Sequence, residues 1–148
     1  MIGALATRYT NRTSARMNER RIYADPSFAT EERIDRALAL ARQPDTGVVF
    51  HETARSLATV RGVRPEWRDE LLCNVSKHPR PTLIVWGDRD RILPANHADA
   101  AQRLVPHARV HLLHAVGHAP QVEAAEKFAE LTLHFLGSQT ASTAWITN

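Results

Sequence analysis

The chain has 148 residues, 43% apolar and 24% charged, which suits one modest core and is too apolar for a disordered segment. Its net charge of +3 rests almost wholly on arginine, Lys77 and Lys127 being the only lysines. No aromatic–basic platform accompanies that charge, so an arginine-rich coding bias explains it better than nucleic-acid binding. Cys73 has no partner for an internal disulfide. No run is long and apolar enough to span a bilayer, and Met1–Ala6 is too short for a secretory apolar region. A cytoplasmic protein without membrane or nucleic-acid partners is expected.

The first 64 residues read as helices and loops without a strand. Arg8, Arg12, Arg16 and Arg20 recur every four residues and fall along one helix face. Such a stripe suits an acidic partner or a membrane surface less well than it suits a solvated face, since few large apolar residues oppose it. Asp25-Pro26-Ser27 marks a turn. Thr30 is a natural N-cap, with Glu31 and Glu32 in the dipole-favoured first turn and Ile34, Ala37, Leu38 and Ala41 at helical spacing up to Pro44. A further helix is predicted over Val49–Val60, burying Phe50, Ala54 and Leu57 and stopping at Gly62.

Beyond Gly62 the pattern changes. Pro65 suits a helix's first position, and Trp67, Leu71 and Leu72 give that helix an apolar face, with Cys73 expected buried and inert among them. Pro79 and Pro81 end it. Thr82–Trp86 is an unbroken apolar run, the pattern of a strand covered on both faces. A helix over Ala95–Val105, with Ala98, Ala101, Leu104 and Val105 facing inward, is stopped by Pro106. The strand Arg109–Leu113 follows, then a helix from Gln121 to Leu136 with Ala124, Phe128, Leu131 and Phe135 buried and Gly137 as its C′ residue. Strand–helix–strand order predicts a right-handed βαβ unit with parallel strands. Residues 138–148 read as a polar, frayed tail.

Chemistry-bearing residues gather after the two strands, in Trp86-Gly87-Asp88-Arg89-Asp90-Arg91-Ile92-Leu93-Pro94 and in Val116-Gly117-His118-Ala119-Pro120. An acid and a histidine there are two members of a nucleophile–histidine–acid triad, in which a neutral imidazole takes the nucleophile's proton and a carboxylate fixes its tautomer. Asp90 suits the acid better than Asp88 or Asp99 because of its spacing from Trp86-Gly87. Gly87 and Gly117 are expected to let the chain turn sharply beside these residues. Glu123 reads as a structural first-turn carboxylate. Histidines 107, 111, 114 and 118 invite a metal reading, but His111 and His114, three apart on a strand, leave opposite faces and His107 precedes it, so no metal or other cofactor is expected. Histidines 51, 78, 97 and 134 read as surface residues.

With Pro81-Thr82-Leu83-Ile84-Val85-Trp86-Gly87, Asp90, Pro94, Gly117-His118-Ala119-Pro120 and Glu123 in this order, the second half resembles the C-terminal part of the α/β-hydrolase superfamily. The resemblance implies an α/β fold built as a helical cap over residues 1–64, followed by a βαβα subdomain with two parallel strands over 65–137. It gives Asp90 and His118 the triad roles and implies hydrolysis of an ester or carbon–carbon bond in a small-molecule substrate. The family's Gly-x-Ser-x-Gly elbow and its His-Gly oxyanion loop do not occur: no serine among 14, 27, 56, 76, 138 and 142 has a glycine two residues away. Both lie upstream of the cap in a complete member, so a fragment supplying acid and histidine is expected. Serine, cysteine and aspartate versions of the fold share the final histidine, which leaves the nucleophile open; Ser76 and Cys73 are the fallback candidates within the chain. A non-catalytic interaction module derived from the fold is the alternative, and a nucleic-acid module rests on the arginine stripe alone. An uncovered strand edge beside Thr82–Trp86 is expected to favour self-association.

Overall fold

The structure is a computed structural model that describes residues 11–143, with side chains to Ser138. Arg8 of the arginine stripe, the Met1–Ala6 segment and the last five residues lie outside the described residues. Two compact units emerge: one holds residues up to Arg20 together with Ala29–His78, the other holds Arg21–Phe28 together with everything from Pro79 onward. The division therefore falls at His78/Pro79 rather than after Arg64, and a short stretch of the expected cap region groups with the strands.

The first unit is mainly helical, with α1 (Arg12–Ile22, whose last residues pass into the second unit), α2 (Glu31–Ala41), α3 (Thr46–Leu57) and α4 (Pro65–Lys77). Thr30 caps α2 as its sequence predicts, its hydroxyl accepting from the Arg33 N–H at 3.4 Å. Ala15, Ile34 and Leu38 form the small core. Arg12 and Arg16 of the stripe stay in contact with solvent but are paired: Arg12 with Glu31 and Asp35, and Arg16 with Glu31 at 2.6 Å. These exposed pairs set the register of α1 on α2 more than they stabilise it.

Four expectations fail in this unit. Helix α3 begins three residues earlier than predicted and leaves Phe50 63% exposed, with Ala54 also exposed and Leu57 half-buried. The chain after it makes a small antiparallel hairpin, β1 (Ala58–Thr59) with β2 (Gly62–Val63), so the region is not free of sheet, although this hairpin does not join the main strands. Gly62, at φ +115°, opens β2 just after the Val60–Arg61 turn rather than stopping a helix. In α4, Trp67, Leu71 and Cys73 are exposed instead of buried. Periodicity identified the helices but misjudged which faces find cover within the chain.

In the second unit, β3 (Leu83–Gly87) and β4 (Arg109–Leu113) pair in parallel, with Leu83 opposite Arg109 and Gly87 opposite Leu113. Helix α5 (Asn96–Leu104) forms the crossover, burying Ala98 while Leu104 stays exposed, contrary to expectation. Among the described residues β3 has no strand on its other edge, and its apolar residues are half-buried rather than covered on both faces; only Gly87 is buried. The predicted closing helix is two: α6 (Pro120–Glu123) and α7 (Ala125–Thr143), broken at Ala124. Helix α7 runs through Gly137 to Thr143, so Gly137 is not a C′ residue and residues 138–143 are helix, not tail. Preceding all of this in sequence, Tyr23 is buried in the same unit, its ring 5.9 Å from that of Phe28 across a 3-10 turn (Pro26–Phe28).

Candidate active site

Parallel pairing sends the chain out of β3 and β4 at the same end. Beyond the strands the Asp88 N–H donates to the Leu113 carbonyl at 3.0 Å and the Arg89 N–H to the Val116 carbonyl at 2.9 Å, so the two exit loops stay stitched together. Gly87 is required there for a reason other than a sharp turn. Its φ is not positive; instead a Cβ would overlap the carbonyl oxygens of Gly117 and Val116. The same holds at Gly117, where a Cβ would lie 2.5 Å from the Ala24 nitrogen and 2.7 Å from the Ile22 oxygen.

This close approach brings Asp90 and His118 together. Asp90 Oδ2 stands 2.8 Å from His118 Nδ1, while Oδ1 accepts the Ile92 and Leu93 N–H groups at 2.8 and 2.9 Å. The Asp90 side chain is 3% exposed and that of His118 38%. Burial pushes the carboxyl up, but the His118 contact and the two amide hydrogen bonds together outweigh it and hold Asp90 below the ordinary carboxylate value. A carboxylate opposite Nδ1 draws the ring proton to that nitrogen and leaves Nε2 as the basic one. A cavity of about 140 Å³ lies against Val85, Trp86, Gly87, Asp90, His118 and Pro120. That is below the about 300–1,000 Å³ of a small-molecule site, so this unit presents the pair without enclosing a substrate.

A second acid–histidine pair sits beside the first. Asp88 Oδ2 is 2.7 Å from His114 Nδ1, and its Oδ1 accepts the Ala115 N–H at 2.7 Å. Burial raises the Asp88 carboxyl, yet His114 and the Ala115 amide pull it below its ordinary value. His114 is 85% exposed, and Ala115 takes φ +61°, a left-handed conformation uncommon for a residue other than glycine. Spacing from Trp86-Gly87 picked Asp90 over Asp88 and gave no sign of this second pairing. Glu123 is also more than a helix-end carboxylate: Oε1 accepts from the Gly117 N–H at 2.9 Å, and Oε2 from the Ala24 N–H at 2.6 Å. No sequence signal linked Ile22–Ala24 to the histidine loop, because the contact spans some hundred residues of chain. Of the fallback nucleophiles, Cys73 and Ser76 are exposed in the other unit, the Ser76 hydroxyl donating to the Cys73 carbonyl at 2.8 Å. No helix among the described residues is long and apolar enough to cross a membrane.

Comparison with known proteins identifies what the chain is similar to. The chain is 33% identical over 126 residues to the dihydrolipoyllysine-residue acetyltransferase component of the acetoin cleaving system of Pseudomonas putida, covering 85% of this chain and 31% of that protein. It is 32% identical over 115 residues to the 2-hydroxy-6-oxononadienedioate/2-hydroxy-6-oxononatrienedioate hydrolase 2 of Pseudomonas putida, covering 76% and 37%. A meta-cleavage product hydrolase of Pseudomonas fluorescens superimposes with a TM-score of 0.70 at 23% identity, over 90% of this chain and 48% of that one. The chain thus spans less than half the length of each of these proteins. Residues 3–131 match the model of the alpha/beta hydrolase family, and the chain belongs to that family.

Proposed function

We propose that Asp90 and His118 are the acid and histidine of a nucleophile–histidine–acid triad in a hydrolase of ester or carbon–carbon bonds. On this reading the nucleophile and the oxyanion donors come from polypeptide outside residues 1–148, and the helical unit serves as the cap. The carrying observation is the 2.8 Å contact between Asp90 Oδ2 and His118 Nδ1 beyond the C-terminal ends of two adjacent parallel strands. Asp90 would hold the ring and balance the imidazolium; Nε2 would take the nucleophile's proton and return it to the leaving group. The shared fold and the hydrolase relatives support this reaction class. Without a nucleophile and oxyanion donors the pair has nothing to activate, so residues 1–148 alone should turn over activated esters poorly or not at all.

The experiment compares residues 1–148 with the same chain extended by the polypeptide encoded in frame upstream. Turnover of a panel of activated esters and vinylogous diketones should appear only in the extended protein and vanish in His118→Ala. Turnover indifferent to His118→Ala, or a folded extended protein that turns over nothing on the panel, defeats the proposal. The second outcome would favour a non-catalytic interaction module, a reading supported by the β3 edge that is unpaired among the described residues.

A further inference from the structure

We infer that Glu123 is a positioning residue that fixes His118 against Asp90 by clamping the histidine loop onto the Ile22–Ala24 segment; this rests on the triad reading of His118. Three consecutive amides of the loop are all committed. Gly117 and Ala119, on either side of the histidine, donate their N–H groups to Glu123 Oε1 at 2.9 and 3.4 Å. The His118 N–H itself donates to the Ile22 carbonyl at 2.8 Å. Glu123 Oε2 then accepts the Ala24 N–H at 2.6 Å, tying down the segment that supplies the Ile22 carbonyl. The result is a closed circuit running from Glu123 to Ala24, through Ile22 to His118, and back through the flanking amides to Glu123.

Chemistry and packing both favour a carboxylate at this position. Three backbone donors converge on it, and only a group with two acceptor oxygens and no donor satisfies them all; charge-assisted hydrogen bonds of this kind are roughly twice as strong as neutral ones. The surroundings are close-packed: Tyr23, Val116, Ala119 and Pro120 are buried, Glu123 and Ala24 are half-buried, and a Cβ at Gly117 would stand 2.8 Å from Glu123 Oε1. Burying donors without such a partner is costly, so removing it would free the loop rather than leave it in place. The loop's backbone sets where the imidazole points, and Asp90, held by the Ile92 and Leu93 amides, is in no position to follow it.

The test is imidazole nitrogen NMR on the 148-residue chain, with Glu123→Gln and Asp90→Asn as variants. Glutamine keeps one acceptor but replaces the other with a donor, so it cannot receive both Gly117 and Ala24. The Nδ1–H tautomer signature of His118 should be lost in Glu123→Gln while that of His114, held by Asp88, is retained. A folded Glu123→Gln variant with an unchanged His118 tautomer overturns the proposal and leaves Glu123 as a stabilising residue only. If Asp90→Asn also leaves the His118 tautomer unchanged, the Asp90–His118 reading itself falls and takes this inference with it. Should Glu123→Gln not fold, amide exchange in the unaltered chain decides. Ala24, Gly117 and His118 protected to the same degree, as one opening unit, support the clamp; an Ala24 amide that exchanges independently of Gly117 overturns it.

Discussion

Asp90 meets His118 with one oxygen only: Oδ2 faces Nδ1 at 2.8 Å, while Oδ1 is occupied by two backbone amides. The division matters because the amides anchor the carboxylate independently of the histidine, so the pair does not depend on a flexible acid finding its partner. It also fixes a pH dependence. The folded carboxyl titrates below the ordinary aspartate value of about 3.9. Its contribution to stability is therefore complete above that value and is lost as pH falls through the folded one. Asp90→Asn, which mimics the uncharged acid, should melt below the wild type at neutral pH, and the gap should close in acid. Thermal melts across the acid range check this; a gap that widens on acidification contradicts the assignment.

Gly87 and Gly117 should be the two most sensitive glycines. Gly87→Ala drives a methyl into backbone on the facing loop and should cost about 3 kcal/mol, the upper end of ordinary overpacking. Gly117→Ala meets the Ala24 nitrogen and Ile22 oxygen, also backbone, and should cost about 1–3 kcal/mol. Gly137 offers the contrast. It lies within α7 with open space where a Cβ would go, so Gly137→Ala should stabilise by about 0.5–1 kcal/mol. Urea denaturation of the three variants ranks them, and an inverted order would refute the close-approach explanation.

Ala115 holds φ +61° because its N–H is held by Asp88 in a loop that must leave β4 and deliver His118. A left-handed non-glycine residue costs about 1–2 kcal/mol, against which a glycine's added freedom in the unfolded chain costs about 0.5–1 kcal/mol. Ala115→Gly should therefore raise stability by about 0.5–1 kcal/mol and leave the Asp90–His118 contact intact. A lower denaturation midpoint for the variant would mean that the strain is absent.

The strands, their parallel pairing and the Asp90–His118 meeting were legible because each is a local signal: an apolar run, two prolines that end a helix, an acid and a histidine at fixed distances from strand ends. Burial was less so. Phe50, Trp67, Leu71 and Leu104 sit at helical spacing that reads as a buried stripe, yet all four are exposed, since periodicity records which face is apolar and not what covers it. The split of the last helix at Ala124 and the run of α7 through Gly137 also escaped, because glycine in an exposed helix is a modest cost rather than a stop. Glu123 looked like any acid near a helix start; its partners Gly117 and Ala24 are backbone groups and leave no mark in side-chain patterns.

The uncovered edge of β3 yields the last prediction. Leu83–Trp86 is an apolar strand paired on one side only among the described residues, and its side chains stay half-buried where a covered strand would be sealed. Free backbone donors and acceptors beside apolar side chains are the usual starting point for edge-to-edge pairing, and neither a proline nor a lysine interrupts this strand. Residues 1–148 should consequently self-associate with rising concentration, and the amides of β3 should become more protected as they do. Sedimentation velocity from low to high micromolar concentration, with amide exchange on the same samples, tests both parts. A chain that remains monomeric throughout, with a cooperative melt independent of concentration, would show that this edge is already shielded.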